Sequence, residues 1–334
     1  MRDHNLDILR GIGIIFVVLG HVIEGIMQAG LCHTVALPDL YHTIYSFHMP
    51  LLFFVSGCTA CLSAGKTTVS WKNRLFHDLL ALYIPYVLFS YIFLFIKVFL
   101  YQGAESVQAS ALFDAWILPE TVYWFLLALL VIRLLSHFLH SFFANTIVFL
   151  ISFLLLVLGS HPSMPNYFCL KDACHYLICF EAGYLIYASS TQFTRLKGGI
   201  IALCCILLCI CFISSIDGTT YYPKIIIGLC ISVLLYILIA SLPFHSSWLT
   251  HIGCNTLIIY LIHPFLTGPV RTILTRFFTT DIVLVLLETL LLIILPLCIT
   301  YTYQHIKCFH WVQYVFYPYR LLLNVLHQKK SASN

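Results

Sequence analysis

Long apolar runs, interrupted at short intervals by polar or charged clusters, set the pattern of this chain. Ten runs of helical length are predicted, at roughly 8–27, 46–63, 79–101, 122–140, 144–160, 174–188, 199–216, 224–242, 254–274 and 282–304. A bilayer core about 30 Å thick needs about 20 apolar residues per spanning helix. The pattern therefore predicts an all-α, polytopic membrane helix bundle of about ten transmembrane helices. The sixth run is short, and Pro264 is expected to break the ninth. Within the first run, Arg10 and His21 are eleven residues apart. At about 100° per residue they return to nearly one face, roughly 16 Å apart along the axis.

Composition agrees with the runs. Hydrophobic residues make up 61% of the 334 positions and charged residues 9%, against roughly 25% charged in soluble domains. Mean hydropathy is +0.96. The net charge of +4 carries no nucleic-acid signal, because the basic residues sit at membrane edges. Of 17 Lys and Arg residues, twelve fall in segments placed inside, among them Arg2, Lys72, Arg74 and Lys330. Four (Lys171, Lys224, Arg271 and Arg276) fall outside, so both termini are expected in the cytoplasm. The first run holds Arg10 and lacks a small-residue cleavage site, so it reads as a retained helix. Residues 306–334 mix aromatics with Lys and Arg and read as a cytoplasmic amphipathic tail to a membrane domain of 1–305. Most of the 14 cysteines lie in apolar runs as small hydrophobes. Cys169 and Cys174, in a loop placed outside, can form a disulfide.

Ionisable groups inside a membrane are expensive and mark functional sites by default. Asp7 lies one turn before Arg10 and can pair with it; Glu24 lies one turn after His21 and can orient its imidazole. The alternative is that Arg10 snorkels to lipid phosphate and His21 bonds a neighbouring helix. Gly11, Gly13 and Gly20 allow a backbone or a thin substrate to approach helix one. His48, in Tyr45-Ser46-Phe47-His48-Met49-Pro50, is expected near the depth of His21, with Pro50 in the first turn of helix two. Tyr260 and His263 share a face of helix nine as a site wall or a polar packing node. Lys72 and Arg74 suit phosphate, or are the ordinary positive-inside signal. Glu181 and Glu288 read as lone buried carboxylates, and Trp124 as an interfacial start to helix four. No Walker, dinucleotide-binding, G-x-S-x-G or HExxH motif is present.

Taken in order, these segments resemble membrane acyltransferase family 3, in the branch related to fucose 4-O-acetylases. The residues are Asp7-Ile8-Leu9-Arg10-Gly11-Ile12 leading to Gly20-His21, then Phe47-His48-Met49-Pro50 through Gly57, Trp124-Phe125-Leu126, Phe180-Glu181-Ala182-Gly183-Tyr184, and Gly253-Cys254-Asn255-Thr256-Leu257 with Tyr260 and His263. The chain departs from some relatives in having Lys72-Asn73-Arg74 for closely spaced arginines, and Glu181 for an apolar residue.

The resemblance implies a multi-pass inner-membrane acyltransferase. It would move an acyl group, acetyl by default, from cytoplasmic acyl-CoA to a hydroxyl of an extracytoplasmic sugar, polysaccharide or glycolipid, alone or in a glycan-synthesis complex. Arg10 and His21 would be essential. In this reading Arg10, Lys72 and Arg74 hold the phosphates of acetyl-CoA, and the pantetheine arm runs past the glycines of helix one. His21, oriented by Glu24, is the general base; His48 or Tyr260 donates to the oxyanion. Trp124, Tyr260, His263 and His48 bind substrate, with Asp7 and Asn255 as structural support. No metal and no nucleic-acid partner are expected. The rival readings are a polysaccharide exporter or proton-coupled transporter, and a scaffold.

Overall fold

The computed structural model describes residues 3–64, 71–100, 111–118, 122–137, 142–159, 166–215, 222–242 and 246–320. All regular structure among them is helical: α1 (His4–Gln28), α2 (Ala36–Ala64), α3 (Trp71–Asp78), α4 (Ile84–Leu100), α5 (Ala111–Asp114), α6 (Trp124–His137), α7 (Phe142–Gly159), α8 (Leu170–Ala188), α9 (Ser190–Ser215), α10 (Tyr222–Ser241), α11 (Ser247–Cys254), α12 (Thr256–Leu274), α13 (Asp281–His305) and α14 (Gln313–Phe316). Each expected run falls on helix, apart from residues 101, 122–123, 138–140, 160, 216, 242 and 255; of these, 101, 138–140, 160 and 216 lie outside the described residues. Six helices are long and apolar enough to cross a membrane, namely α1, α2, α3–α4 as one span, α10, α12 and α13; α6 and α7 are shorter apolar helices. The protein is a multi-pass membrane protein. On α13, Ile282, Leu286, Leu290 and Ile294 are exposed at four-residue intervals, the stripe that a lipid-facing helix presents.

The chain forms two compact units, residues 1–67, 141–161 and 174–297, and residues 68–140, 162–173 and 298–334. In the first, α1 is central. Leu6, Leu9, Ile14, Val18, Val22 and Ile26 are buried on several of its faces, and α2, α10, α11 and α12 pack around it. The Asp3 carboxylate caps its start by accepting from the Asn5 and Leu6 amides. Gly30 (φ 68°) closes its end: its amide donates to Met27 O and the Leu31 amide to Ile26 O, a Schellman motif.

Helices in lipid gain little from apolar burial against one another, so small residues and close backbones hold them. Gly57 of α2 lies against the Phe180 carbonyl of α8, Gly183 of α8 against the Phe54 carbonyl of α2, and the Cys58 thiol donates to Gly183 O at 3.3 Å. Gly11 of α1 and Gly253 of α11 face each other's helices, against Leu249 O and Asp7 O. Gly13 faces Leu52, and Gly20 faces Tyr45. The glycines of helix one are thus filled by neighbouring helices, which removes the expected passage for a pantetheine arm along them.

Three further expectations change. Helix two begins at Ala36, so Pro38, not Pro50, occupies its first turn. Pro50 is internal; it denies the Ser46 carbonyl its helical partner, and Gly228 of α10 packs onto that carbonyl and the proline ring. The ninth run breaks at Asn255, between α11 and α12, where the Asn255 amide side chain donates to His251 O at 2.8 Å; Pro264 and Pro269 lie within continuous α12. Cys169 and Cys174 are free thiols, and Cys169 Sγ donates to Trp124 O at 3.4 Å.

The second unit is built on buried Tyr86 and Tyr123, with a π-helical turn at Leu79–Tyr83 joining α3 to α4. The tail packs here: Phe316 stacks on Phe89 with centroids 5.7 Å apart, and Tyr319 lies 4.8 Å from His77. Residues 321–334, with Lys329 and Lys330, lie outside the described residues.

Candidate active site

Both ends of the Arg10–His21 face reach α2. At the first, Arg10 Nη1 donates to Asp7 Oδ1 at 3.2 Å and Nη2 to Thr59 Oγ1 at 2.6 Å; Thr59 Oγ1 in turn donates to Val55 O at 2.8 Å. Asp7 is buried. The expected Asp7–Arg10 pair is therefore present and anchored to α2.

At the other end, His21 Nδ1 lies 3.4 Å from Glu24 Oε2 and 3.4 Å from the Tyr45 hydroxyl, and Tyr45 donates to Glu24 Oε2 at 2.7 Å. Tyr45 gives its proton to the carboxylate. Both neighbours of His21 Nδ1 are then acceptors, which puts the proton of a neutral imidazole on Nδ1 and leaves the Nε2 lone pair bare. Such a nitrogen can take a proton, while the carboxylate holds the ring and offsets the charge that forms. His21 is 26% exposed at its side chain, so this group is not sealed in.

Two more histidines flank it. His48, buried on α2, has its ring 4.8 Å from that of Tyr45; its Nδ1 donates to Ile44 O at 2.7 Å. His263, buried on α12, has its ring 5.4 Å from that of His21; its Nδ1 donates to Ile259 O at 3.0 Å. A carbonyl can only accept, so each ring carries its proton on Nδ1 and presents Nε2 as an acceptor. The expected oxyanion donor His48 is consequently an acceptor in its neutral form. Among the described residues no group of three or more His, Cys, Asp or Glu side chains is placed to hold a metal ion. Tyr260 is buried with its ring 6.1 Å from His263.

The structure thus brings together His21, Glu24, His48, Tyr260 and His263, with Asp7, Arg10 and Asn255 in the same unit. Lys72, Arg74 and Trp124 belong to the second unit. There Lys72 is exposed and Arg74 partly buried on α3, and buried Asp78 pairs with Arg133 at 3.0 Å.

Sequence reasoning gave Tyr45 no role, although it lies one turn before His48. Glu288 is not alone: Arg271 clasps it through Nε–Oε2 at 3.2 Å and Nη2–Oε1 at 3.0 Å, and the guanidinium lies over Gly25, next to Glu24. Glu181 is buried, and its Oε2 has no hydrogen-bond partner among the described residues.

These features define a helical membrane protein with a His–Glu–Tyr group joining two of its membrane-length helices. The profile of the acyltransferase family 3 domain matches residues 3–305, nearly the whole chain, and the chain belongs to that family. No curated protein and no solved structure matches it.

Proposed function

We propose that this membrane acyltransferase is an O-acetyltransferase of the fucose 4-O-acetylase-related branch, placed in the bacterial inner membrane with both termini cytoplasmic. Acetyl-CoA is the donor, and the acceptor is a hydroxyl of an extracytoplasmic sugar, polysaccharide or glycolipid. The observation that carries the reading is the His21–Glu24–Tyr45 group, with its bare Nε2, in a chain of this family.

His21 Nε2 takes the proton of the hydroxyl as the oxygen attacks the thioester carbonyl. The tetrahedral adduct collapses to the ester and expels the CoA thiolate. The proton on Nε2 passes to that thiolate, giving free CoA and restoring the imidazole. Glu24 faces the imidazolium while it exists. Arg10, at the other end of the face, is the cation that suits the anionic donor. Family membership favours transfer over export.

The test is purified protein in nanodiscs with radiolabelled acetyl-CoA and a glycan acceptor. His21→Ala should lower transfer by about 10²–10⁴-fold with acetyl-CoA binding retained. Arg10→Ala should raise the KM for acetyl-CoA. Full activity in His21→Ala would sink the scheme. No turnover and no CoA binding in folded wild type would move the weight to export.

A further inference from the structure

We propose that His263 binds a second hydroxyl of the acceptor, next to the one that reacts, so that the acceptor class is a polyol with neighbouring hydroxyls. The inference rests on the acyl-transfer reading and narrows its substrate. His263 is 1% exposed, and its Nε2 is buried with no hydrogen-bond partner among the described residues. Its Nδ1 proton is committed to Ile259 O. Nε2 is therefore a fixed lone pair, which only an O–H or N–H donor can satisfy, and a buried acceptor left unmatched is unfavourable.

The His21 ring, 5.4 Å away and tilted by 35°, cannot supply that donor, because its own Nε2 is also a lone pair. Two acceptor-bearing rings 5.4 Å apart call for two donors. One hydroxyl gives its proton to His21; the adjacent hydroxyl of the same ring donates to His263. A monohydric alcohol would satisfy only the first. His263 then fixes which oxygen of the acceptor meets the thioester, and acts as a binding and orienting group beside the base.

The experiment compares kcat/KM for methyl hexopyranosides and their monodeoxy analogues in wild type, His263→Phe and His263→Gln. All are held in nanodiscs and checked for folding by size exclusion and acetyl-CoA binding. Wild type should favour the parent glycoside over the analogue lacking the neighbouring hydroxyl by roughly 10–100-fold. In His263→Phe this ratio should fall to near one, and in His263→Gln, whose amide oxygen still accepts, it should recover in part. An unchanged ratio in His263→Phe overturns the proposal. So does a rise in the KM for acetyl-CoA with the ratio intact, which would assign the lone pair to a pantetheine amide of the donor. Failure of folded wild type to acylate any hydroxyl compound overturns the acyl-transfer reading itself, and is distinguishable from either.

Discussion

The two ends of the polar face of α1 differ in how their groups are satisfied. Around Arg10, donors meet acceptors: the guanidinium donates to Asp7 and Thr59, and the Thr59 hydroxyl donates to Val55 O. Backbones close over the same end, Gly253 against Asp7 O and Gly11 against Leu249 O. Around His21, three imidazoles each spend their one proton on a neighbouring acceptor and present a lone pair. One end is held by internal pairing, and the other presents ring-nitrogen acceptors. Polar groups in a low-dielectric interior stabilise when matched and are costly when not, so proton transfer is expected at the second end and a rigidly held donor-binding cation at the first.

The largest effect that would break this contrast lies at Glu24. Glu24→Gln removes the carboxylate that accepts from Tyr45 and faces His21. The imidazolium formed during transfer then has no counter-charge, and the ring loses its fixed orientation. The expected fall in kcat is about 10²–10⁴-fold, with the KM for acetyl-CoA little changed. Stopped transfer assays on folded variant and wild type measure it. A variant that keeps wild-type kcat would mean that His21 needs no orienting acid, and that the two ends do not differ in the way described.

At the glycine contacts around the Arg10 end the expected response is in stability. A methyl group at Gly253 would overlap Asp7 O and the Gly11 amide, which are backbone atoms and cannot rotate aside. Gly253→Ala must part α1 from α11, at a cost of about 1–3 kcal/mol, read as a lower melting temperature in detergent. Gly198→Ala and Gly199→Ala, where the added carbon meets nothing within 4 Å, are the controls. A mid-helix alanine there should be neutral or slightly stabilising.

This division was half legible in the sequence. The eleven-residue spacing of Arg10 and His21 predicts one face, and both side chains do reach α2. The pairs Asp7–Arg10 and His21–Glu24 follow from the three-residue step of a helix. What local periodicity could not supply was anything between helices. Arg271 and Glu288 stand on different helices, so Glu288 read as solitary until the fold joined them. Tyr45 lies in a polar stretch before the apolar run, and the expected start of helix two at 46 hid that Tyr45 is already helical. Pro264, the more conspicuous signal, drew the break in helix nine away from Asn255. A proline inside a membrane helix is tolerated when neighbours satisfy the freed carbonyl, and no periodicity reports on those neighbours.

The smallest effect tests whether the His21 end depends on its turn or on its side chains. Gly30 sits just past α1 with φ 68° and open space around its Cβ position, so only backbone conformation is at stake there. Gly30→Ala forces an L residue into the left-handed region, at about 1–2 kcal/mol. Gly30→Asn should lose less, since asparagine enters that region more readily. The loop beyond is held independently: Asp281 accepts from the His33 amide at 2.8 Å, the Thr34 amide at 2.6 Å and the Thr34 hydroxyl at 2.9 Å. With that clasp in place, His21, Glu24 and Tyr45 stay tied across α1 and α2. Activity per folded molecule should then stay within about twofold of wild type while the melting temperature falls. If Gly30→Ala instead lowers kcat as deeply as Glu24→Gln, the turn geometry and not the carboxylate sets the imidazole, and the chemical end of α1 is as dependent on backbone fit as the end around Arg10.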